Sequence, residues 1–423
     1  MNLKSNKAIT LVALIITIII LLILAGVSLS MILGENGLIN KAQSSVNAYQ
    51  QATVNEQNLL KSIEDYMGNF GLPENTPDTP AGTHVKPPVK WLGTIVDAVA
   101  DGKGNTFPVP KSFYYVGGDY TNGVIISDDP ADAYDGTTDK TTWEYTTNLV
   151  GNQFVWIPCT EQEYHKTDWG SAYVGGGSYD KNISIGERMQ IQKYNGFYVA
   201  RYEAGLADTI PEFTASYVVS NKSNSPGYQT VAVPKSQANQ IPWNFINYTN
   251  SKCSAEKMYE NSDYVTSGLI TGTQWDVMLN RFIGTTNVNG VTFTLADMTD
   301  SSKWGNFGYN SIQYRGRVAK ANLSGSYWYL YKFGNYTEGN TEKNVANLLT
   351  TGASKTTEAY HTYDVAGNLW EWTDEYGNSL GCQTPRGTAC YYSATASACS
   401  RRNQTGISET DFDYGFRVVL YIK

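Results

Sequence analysis

The chain has 423 residues, a formal net charge of −8 and 17% charged residues. Net acidity without large clusters of lysine or arginine argues against nucleic acid as a partner. With 5 cysteines, 3 histidines and no Cys-x-x-Cys pair, neither a zinc ribbon nor a three-histidine metal site is expected.

The amino-terminal region contains an uncharged, strongly apolar run at residues 8–33, with Lys4 and Lys7 before it and the next charge at Glu35. As a helix this run would extend about 39 Å, enough to cross a hydrocarbon core of about 30 Å. A cleaved signal peptide has a shorter apolar core, and a buried soluble helix has a polar stripe. The run therefore predicts a membrane anchor at residues 8–33. The two lysines favour an inside amino terminus and an extracellular carboxyl-terminal part.

Three further segments follow the apolar run. Residues 34–70 have a rough helical spacing of apolar residues, which predicts a stalk helix or a frayed spacer with no binding role. Residues 71–90 are rich in proline and predict an extended linker. Residues 91–423 are predicted to form one large domain. Apolar runs at 113–116, 124–126, 154–157 and 416–422 predict strands, and residues 275–282 predict part of a helix, so the predicted fold class is α+β.

The segment at the start of the apolar run, residues 7–14 (KAITLVAL), resembles the amino-terminal segment of type IV prepilins. The resemblance implies cleavage by a peptidase between Ala8 and Ile9, with the apolar helix kept on the mature protein. The chain departs from that family at Ala13, where prepilins have a glutamate that helps subunits to enter the filament. The resemblance thus implies a prepilin-like protein at the cell membrane or in a surface filament, with other pilin-like subunits as candidate partners.

Seven motifs follow one another along the large domain. They are residues 152–158 (NQFVWIP), 196–203 (GFYVARYE), 269–275 (LITGTQW), 304–306 (WGN), 367–372 (GNLWEW), 386–387 (RG) and 415–417 (GFR). In this order they resemble motifs of the formylglycine-generating-enzyme family, whose domains have a variant of the C-type-lectin fold. The resemblance covers residues 152–423 and implies a C-type-lectin-like domain within residues 91–423.

The residues that perform chemistry in that family are not found here. The formylglycine-generating enzymes hold copper with a Cys-x4-Cys pair between the RG and GFR motifs, because two thiolates stabilise Cu(I). In this chain the same interval contains Cys390 and Cys399, with 8 residues between them. Related sulfoxide synthases need a histidine triad, whereas His84, His165 and His361 are scattered. The sequence therefore predicts that the protein is not an enzyme of either type.

The loop that contains the GNLWEW motif binds Ca²⁺ in the same family. The resemblance places the ligands at Asp364 and Glu371, through their side chains, and at Gly367 and Leu369, through their backbone carbonyls. Hard oxygen ligands in a short loop suit Ca²⁺. The resemblance implies a structural calcium site at these residues. The alternative is that Asp364 and Glu371 only form hydrogen bonds within the loop.

Residues 381–412 are rich in tyrosine, serine, threonine, asparagine and arginine. This composition is typical of antibody-like binding loops, in which tyrosine supplies contact area at low entropic cost. The segment resembles the hypervariable end of the lectin-fold variable proteins of diversity-generating retroelements. The resemblance implies a variable ligand-binding region at residues 380–417, and the alternative is an ordinary loop of the same fold. The candidate ligand-binding residues are Tyr391, Tyr392, Ser393, Thr395, Ser397, Arg401, Arg402 and Asn403.

Together these features predict a surface-anchored ligand-binding protein, similar to an adhesin or a receptor, that displays a C-type-lectin-like domain to an extracellular protein or glycan. Two alternatives stay open. One is a minor pilin or pseudopilin subunit, and the other is a membrane-tethered oxidase of the formylglycine-generating type.

Overall fold

The structure is a computed structural model, and it describes residues 96–100, 105–169, 183–212, 217–218, 230–324, 327–377, 379–392 and 398–423. All of these residues lie in the unit Val85–Lys423. The predicted anchor at 8–33, the prepilin cleavage position, the stalk at 34–70 and the linker at 71–90 lie outside the described residues. Over the described ranges, every helix is too short or too polar to cross a membrane.

The described residues form a mixed α and β structure. The helices are α1 (Ile185–Tyr194), α2 (Tyr248–Lys257), α3 (Gly272–Phe282) and α4 (Leu295–Thr299). Short 3-10 helices cover Pro130–Asp132, Trp143–Asn148 and Lys355–Thr357. The strands are β1 (Val96–Ala100), β2 (Thr106–Pro110), β3 (Tyr114–Asp119), β4 (Gly123–Ser127), β5 (Gln153–Pro158), β6 (Gly196–Ala200), β7 (Tyr217–Val218), β8 (Val265–Leu269), β9 (Gln313–Gly316), β10 (Val318–Ser324), β11 (Tyr327–Leu330), β12 (Thr337–Asn340), β13 (Ala346–Leu349), β14 (Trp370–Trp372), β15 (Cys382–Gln383), β16 (Thr405–Gly406), β17 (Tyr414–Phe416) and β18 (Val418–Ile422).

The central element is a six-stranded antiparallel sheet with the strand order β3-β4-β5-β6-β18-β8. Side chains alternate between the two faces of a strand, and both faces of this sheet are buried. In β5, Val155 and Ile157 pack into one hydrophobic cluster, whereas Phe154 and Trp156 pack into another on the opposite face. This arrangement explains why β4, β5 and β18 are almost continuously apolar rather than alternating with polar residues.

Five smaller sheets are formed by the other strands of the described residues. One has four antiparallel strands in the order β13-β10-β11-β7. The pairs β1-β2, β9-β12 and β15-β16 are antiparallel, whereas β14 and β17 are parallel. The parallel pair joins the WEW part of the GNLWEW motif to the start of the GFR motif, although the two are more than forty residues apart.

Helix α3 packs against one face of the central sheet. It begins after Thr271, whose hydroxyl accepts a hydrogen bond from the Gln274 N–H at 3.2 Å, while the Gln274 side chain accepts one from the Thr271 N–H at 3.0 Å. This reciprocal capping satisfies two backbone donors at the helix start. The buried residues of α3 include Trp275, Met278 and Phe282, which belong to the hydrophobic cluster on that face.

The strand and helix predictions are confirmed by β3, β4, β5, β18 and α3, with one difference. The run at 416–422 was predicted as one strand, but it divides into β17 and β18 on either side of Arg417. The two strands belong to different sheets, because β17 pairs with β14 whereas β18 pairs with β6 and β8. Arg417, which lies between them, is fully buried, and its side chain binds Glu371. None of the five cysteines forms a disulfide.

Candidate functional site

The candidate binding segment rests on a buried ion pair between β14 and the residue that follows β17. Arg417 donates from Nε to Glu371 Oε2 at 2.8 Å and from Nη2 to Glu371 Oε1 at 2.5 Å. The same guanidinium also donates to the carbonyl oxygens of Ala200 at 3.1 Å and Tyr363 at 2.8 Å. Two parallel bonds between arginine and carboxylate fix both orientation and distance. This pair therefore links the GNLWEW loop to the central sheet.

A tight turn precedes β14 and fixes the start of the loop. Gly367 has φ of 81°, and a Cβ at this position would overlap the carbonyl oxygen of Asn306. Asn368 also has a positive φ, 59°, and its side-chain oxygen accepts from the Leu349 N–H and the Asn306 amide, each at 2.9 Å. Its side-chain nitrogen donates to Glu203. A glycine and an asparagine are the residues that tolerate this backbone conformation best.

Three buried carboxylates surround Arg417, and their charges affect one another. Burial raises the pKa of Glu203 well above its usual range, and the nearby charges of Asp364 and Glu371 raise it further. Burial also raises the pKa of Asp364 and of Glu371, against the opposing effect of Arg417. One oxygen of Glu203 has no hydrogen-bond partner among the described residues. A protonated Glu203 is consistent with this environment.

The predicted calcium ligands lie in this region, but their side chains are bound to protein donors. Glu371 uses both oxygens for Arg417, and Asp364 accepts from the Gly352 N–H and the Thr357 hydroxyl, each at 2.7 Å. Among the described residues, no group of three or more acidic, histidine or cysteine side chains is arranged to hold a metal ion. The two predicted side-chain ligands, Asp364 and Glu371, thus do not fit Ca²⁺ as they are arranged, whereas Gly367 and Leu369 were predicted to bind only through backbone carbonyls.

The structure brings three of the predicted ligand-binding residues together around Trp370. The rings of Tyr391 and Tyr392 have centroids 4.4 Å apart, and the Tyr392 ring meets the Trp370 ring edge-on at 5.5 Å. The Arg401 guanidinium carbon lies 4.9 Å from the Tyr392 centroid and 5.9 Å from the Trp370 centroid. These four residues, named here the Tyr–Arg cluster, combine aromatic packing with cation–π contacts.

The two tyrosines are half-buried rather than fully exposed. Tyr391 packs against a hydrophobic cluster and lies 5.9 Å from the Phe412 ring, between ring centroids. Its hydroxyl hydrogen-bonds to Asp413, and burial raises the pKa of both groups. Because each ring has one side held by the protein, the cluster has few alternative rotamers to lose on binding a partner.

Arg402 points into a different network, which lies between α3 and the segment after β14. It donates to Asp276 Oδ2 at 2.6 Å and to Glu375 Oε1 at 3.1 Å. Arg386 binds the remaining oxygens of the same two carboxylates, at 2.5 Å and 2.9 Å, and Lys166 binds Glu375 at 2.5 Å. Burial by itself would raise the pKa of Glu375, but the three cations outweigh it and lower that pKa. Arg402 therefore holds the segment in place.

The remaining predicted residues are divided between this region and the undescribed part. Asn403 donates from its backbone N–H to the Pro385 carbonyl at 3.0 Å, and its side-chain oxygen accepts from the Gln404 N–H at 3.0 Å. Ser393, Thr395 and Ser397 lie outside the described residues, between Tyr392 and Ala398.

The two thiols in the interval of the copper-binding pair lie in different parts of the core. Cys390 belongs to the hydrophobic cluster that includes Leu369 and Phe412, and Cys399 belongs to the cluster around Trp275. Both are fully buried, and burial raises the pKa of both thiols. A metal-binding thiol must lose its proton, so this environment is unfavourable for a thiolate pair.

Several residues that shape the site were not identified from the sequence. Asp276 and Glu375 bind Arg402 and Arg386, and Asp276 is 126 positions away from Arg402 in the sequence. Lys166 binds Glu375 from a distance of 209 positions along the chain. Asp276 follows the Trp275 of a recognised motif, which was the one available signal. Glu375 and Lys166 have no local pattern that marks them.

The chain is similar to several solved structures at 13–15% sequence identity. None of the curated protein sequences matches the chain. Among solved structures, PvdO from Pseudomonas aeruginosa is 15% identical, with a TM-score of 0.32 over 64% of this chain and 95% of that one. Treponema denticola variable protein 1 is 13% identical, with a TM-score of 0.32 over 65% and 97%. CarF is 13% identical, with a TM-score of 0.30 over 65% and 100%.

The family comparison covers strands β6, β8 and β18 of the central sheet, the Glu371–Arg417 pair and the Tyr–Arg cluster, whereas β3, β4 and β5 precede the matched residues. The sequence model of the sulfatase-modifying factor enzyme 1-like domain matches residues 170–422, which is more than half of the chain. The protein therefore belongs to this family, whose domain has the C-type-lectin fold.

Proposed function

We propose that the protein is a surface-anchored ligand-binding protein, in which residues 8–33 anchor the chain in the membrane. The stalk at 34–70 and the linker at 71–90 then carry the family domain away from the membrane, on the extracellular side. In this proposal the domain binds an extracellular protein or glycan through residues 380–417. The apolar run and the proline-rich segment in the sequence support the anchor and the linker.

One observation carries the proposal for the binding face. The Arg401 guanidinium lies over the Tyr392 ring and near the Trp370 ring, next to the segment that contains Ser393, Thr395 and Ser397. Aromatic residues and arginine dominate the energetics of protein interfaces, and rigid tyrosines reduce the entropic cost of binding. Trp370 and Arg401 are buried, so within the Tyr–Arg cluster the half-buried rings of Tyr391 and Tyr392 supply the contact area and the other two residues support them. The neighbouring serine- and threonine-rich segment can supply adaptable hydrogen bonds.

The surroundings of the cluster favour binding over redox chemistry. Cys390 and Cys399 pack in separate hydrophobic clusters, and burial favours their neutral thiol forms. A binding role needs a fixed scaffold under a variable surface, and the Glu371–Arg417 pair provides a fixed connection below Trp370. These features support a ligand-binding protein rather than an oxidase of the formylglycine-generating type.

The test measures binding of the full-length chain to arrays of glycans and of extracellular proteins, followed by titration of each hit. Arg401→Ala and Tyr392→Ala are expected to weaken binding at least about tenfold, as central interface anchors do. Arg401→Lys keeps the charge but loses the planar stacking group, so an intermediate loss is expected.

The matched control is Arg315→Ala. Arg315 also stacks on a tryptophan, with its guanidinium carbon 4.5 Å from the Trp143 centroid, but it is not part of the proposed face. The proposal predicts that Arg315→Ala leaves the affinity unchanged. Equal affinity of the Arg401 and Tyr392 variants and the wild type for every hit would refute this binding face.

A further inference from the structure

A separate cavity of about 810 Å³ opens beside β3, and its lining includes the loop at 134–141 and the side chain of His361. This volume lies within the range of roughly 300–1,000 Å³ typical of small-molecule sites. None of the predicted ligand-binding or calcium-binding residues lines it. The side chains that matter for the argument are Asp119, Asn122, Tyr134, Asp139 and His361.

Part of the cavity wall is backbone rather than side chain. Strand β3 has a register shift between Tyr115 and Gly117 where it pairs with β4. Gly118 follows with φ of 84°, and a Cβ there would overlap the Gly123 carbonyl and lie 3.4 Å from His361 Cδ2. Bulges and glycines of this kind often lie next to ligand sites, because they leave space for close approach. Here the glycine leaves open the space beside the His361 ring.

His361 is held in a strained turn. Tyr360 and His361 have φ of 54° and 59°, which are uncommon for residues other than glycine, and Ala359 and Thr362 close the turn with two backbone bonds of 2.9 Å. Glu358 Oε1 accepts from the His361 N–H at 2.6 Å, and Arg201 Nε donates to the His361 carbonyl at 3.1 Å. Strain of about 1–3 kcal/mol per residue persists only where the surroundings impose it, and it is concentrated at functional sites.

The His361 ring keeps unused hydrogen-bonding capacity. Its Nδ1 is buried without a hydrogen-bond partner among the described residues, and the nearest acidic oxygen, on Glu358, is 3.8 Å away. Burial, with a further contribution from the charge of Arg201, lowers the pKa of His361 to about 3. The ring is therefore neutral at physiological pH, with one nitrogen as donor and the other as acceptor.

The carboxylates that line the cavity are oriented acceptors. Asp119 Oδ1 accepts from the backbone N–H groups of Thr121 at 2.7 Å and Asn122 at 3.0 Å. Asp139 Oδ1 accepts from the N–H of Thr141 at 3.0 Å and from its hydroxyl at 2.6 Å. These bonds fix the carboxylate planes in the apo protein, which reduces the cost of binding a ligand.

The remaining lining supplies an aromatic wall and little positive charge. The rings of Tyr115 and Tyr134 meet edge-on, with centroids 5.7 Å apart. The Lys140 ammonium also lines the cavity, but it donates to the Ala133 carbonyl at 2.5 Å and lies 3.9 Å from Asp135. An anionic ligand would therefore meet carboxylates without an available counter-charge.

We propose that this cavity binds a neutral polyhydroxylated ligand, a mono- or disaccharide. Hydroxyl groups donate to carboxylates such as Asp119 and Asp139, and they also accept from the Asn122 amide and a ring N–H of His361. The apolar face of a sugar ring packs against a tyrosine ring such as Tyr134. A simple cation would use the carboxylates but not the donors, so the mixture of groups favours a neutral ligand.

The test is saturation-transfer NMR and calorimetric titration of the full-length chain with glucose, galactose, N-acetylglucosamine and maltose. Choline and citrate serve as the cationic and anionic probes. Saturable binding of at least one sugar is expected, and Asp139→Asn, Asn122→Ala and His361→Asn should each weaken it about tenfold or more. Asparagine tolerates a positive φ, so His361→Asn removes the imidazole and keeps the turn.

The control is Tyr114→Ala, which changes an exposed residue of the same strand that does not line the cavity. Asp139 and Asn122 are also exposed, so their variants decide the question even if His361→Asn fails to fold. The proposal is overturned if no sugar binds saturably, if choline or citrate is the only ligand, or if the Asp139 and Asn122 variants bind the sugar as the wild type does.

Discussion

Removing the positive charge of Arg417 should destabilise the domain more than any surface substitution. Arg417→Met leaves Glu371 buried without its partner, and breaking a buried ion pair in this way costs about 3–5 kcal/mol. The substitution also removes the donors to the carbonyls of Ala200 and Tyr363, which costs about 1 kcal/mol for each lost bond. The free energy of unfolding is measured in urea, with the fluorescence of the 10 tryptophans as the signal.

A double-mutant cycle with Glu371→Gln isolates the charge interaction. Glu371→Gln keeps a similar shape and removes the charge that Arg417→Met would strand. Arg417→Met is therefore expected to cost at least about 2 kcal/mol less in the Glu371→Gln background than in the wild type. Additive effects of the two substitutions, or a cost of Arg417→Met below about 1 kcal/mol, would refute the assignment of this pair as the main link below the binding segment.

Four further predictions concern the same region. Gly367→Ala should destabilise the domain by about 1–3 kcal/mol in urea unfolding, because of its positive φ and the overlap of a Cβ with a backbone carbonyl. Because the folded protein raises the pKa of Glu203, its contribution to the free energy of unfolding is largest below the unfolded pKa of about 4.3. The free energy of unfolding should therefore fall as the pH rises toward the folded pKa, and it should fall less in Glu203→Gln. Added Ca²⁺ should leave the melting temperature unchanged, whereas a rise that Glu371→Gln abolishes would establish a calcium site. Anaerobic Cu(I) titration should give no tight one-to-one complex that depends on Cys390 and Cys399, and such a complex would support the oxidase alternative.

The strands of the central sheet could be predicted because their signal is local. Residues buried on both faces form short apolar runs, as in β4 and β5, and such runs are visible without knowledge of their partners. The division of the run at 416–422 was not predictable in this way. It reflects a change of partner strand, since β17 pairs with β14 whereas β18 pairs with β6 and β8, and these partners are distant in the sequence.

The composition of the binding segment predicted which residue types to examine but not how each is used. Tyr391, Tyr392 and Arg401 do lie together, yet Trp370 and Phe412 cover part of the tyrosine rings. Arg402, which has the same side chain as its neighbour, is bound to Asp276 at a separation of 126 positions. Adjacent residues in an irregular segment have no fixed periodicity, so the sequence does not indicate which of the two arginines packs on aromatic rings and which binds carboxylates.

The cavity at His361 was not predicted, since a histidine without neighbouring ligand residues in the sequence has no recognisable pattern. Its environment comes from β3, the loop at 134–141 and a turn more than two hundred residues later. The polar residues of that loop are typical of an exposed connection, and their arrangement around a cavity depends on the fold.

The most direct test of the central claim is site-specific photo-crosslinking on intact cells. A photoreactive phenylalanine analogue replaces Tyr392 in one full-length variant and Tyr114, an exposed residue of β3, in a second. Labelled adducts with an extracellular protein or glycan at position 392, and none at position 114, are the predicted result. Equal labelling at both positions, or adducts only with proteins inside the cell, would contradict an extracellular binding face at the Tyr–Arg cluster.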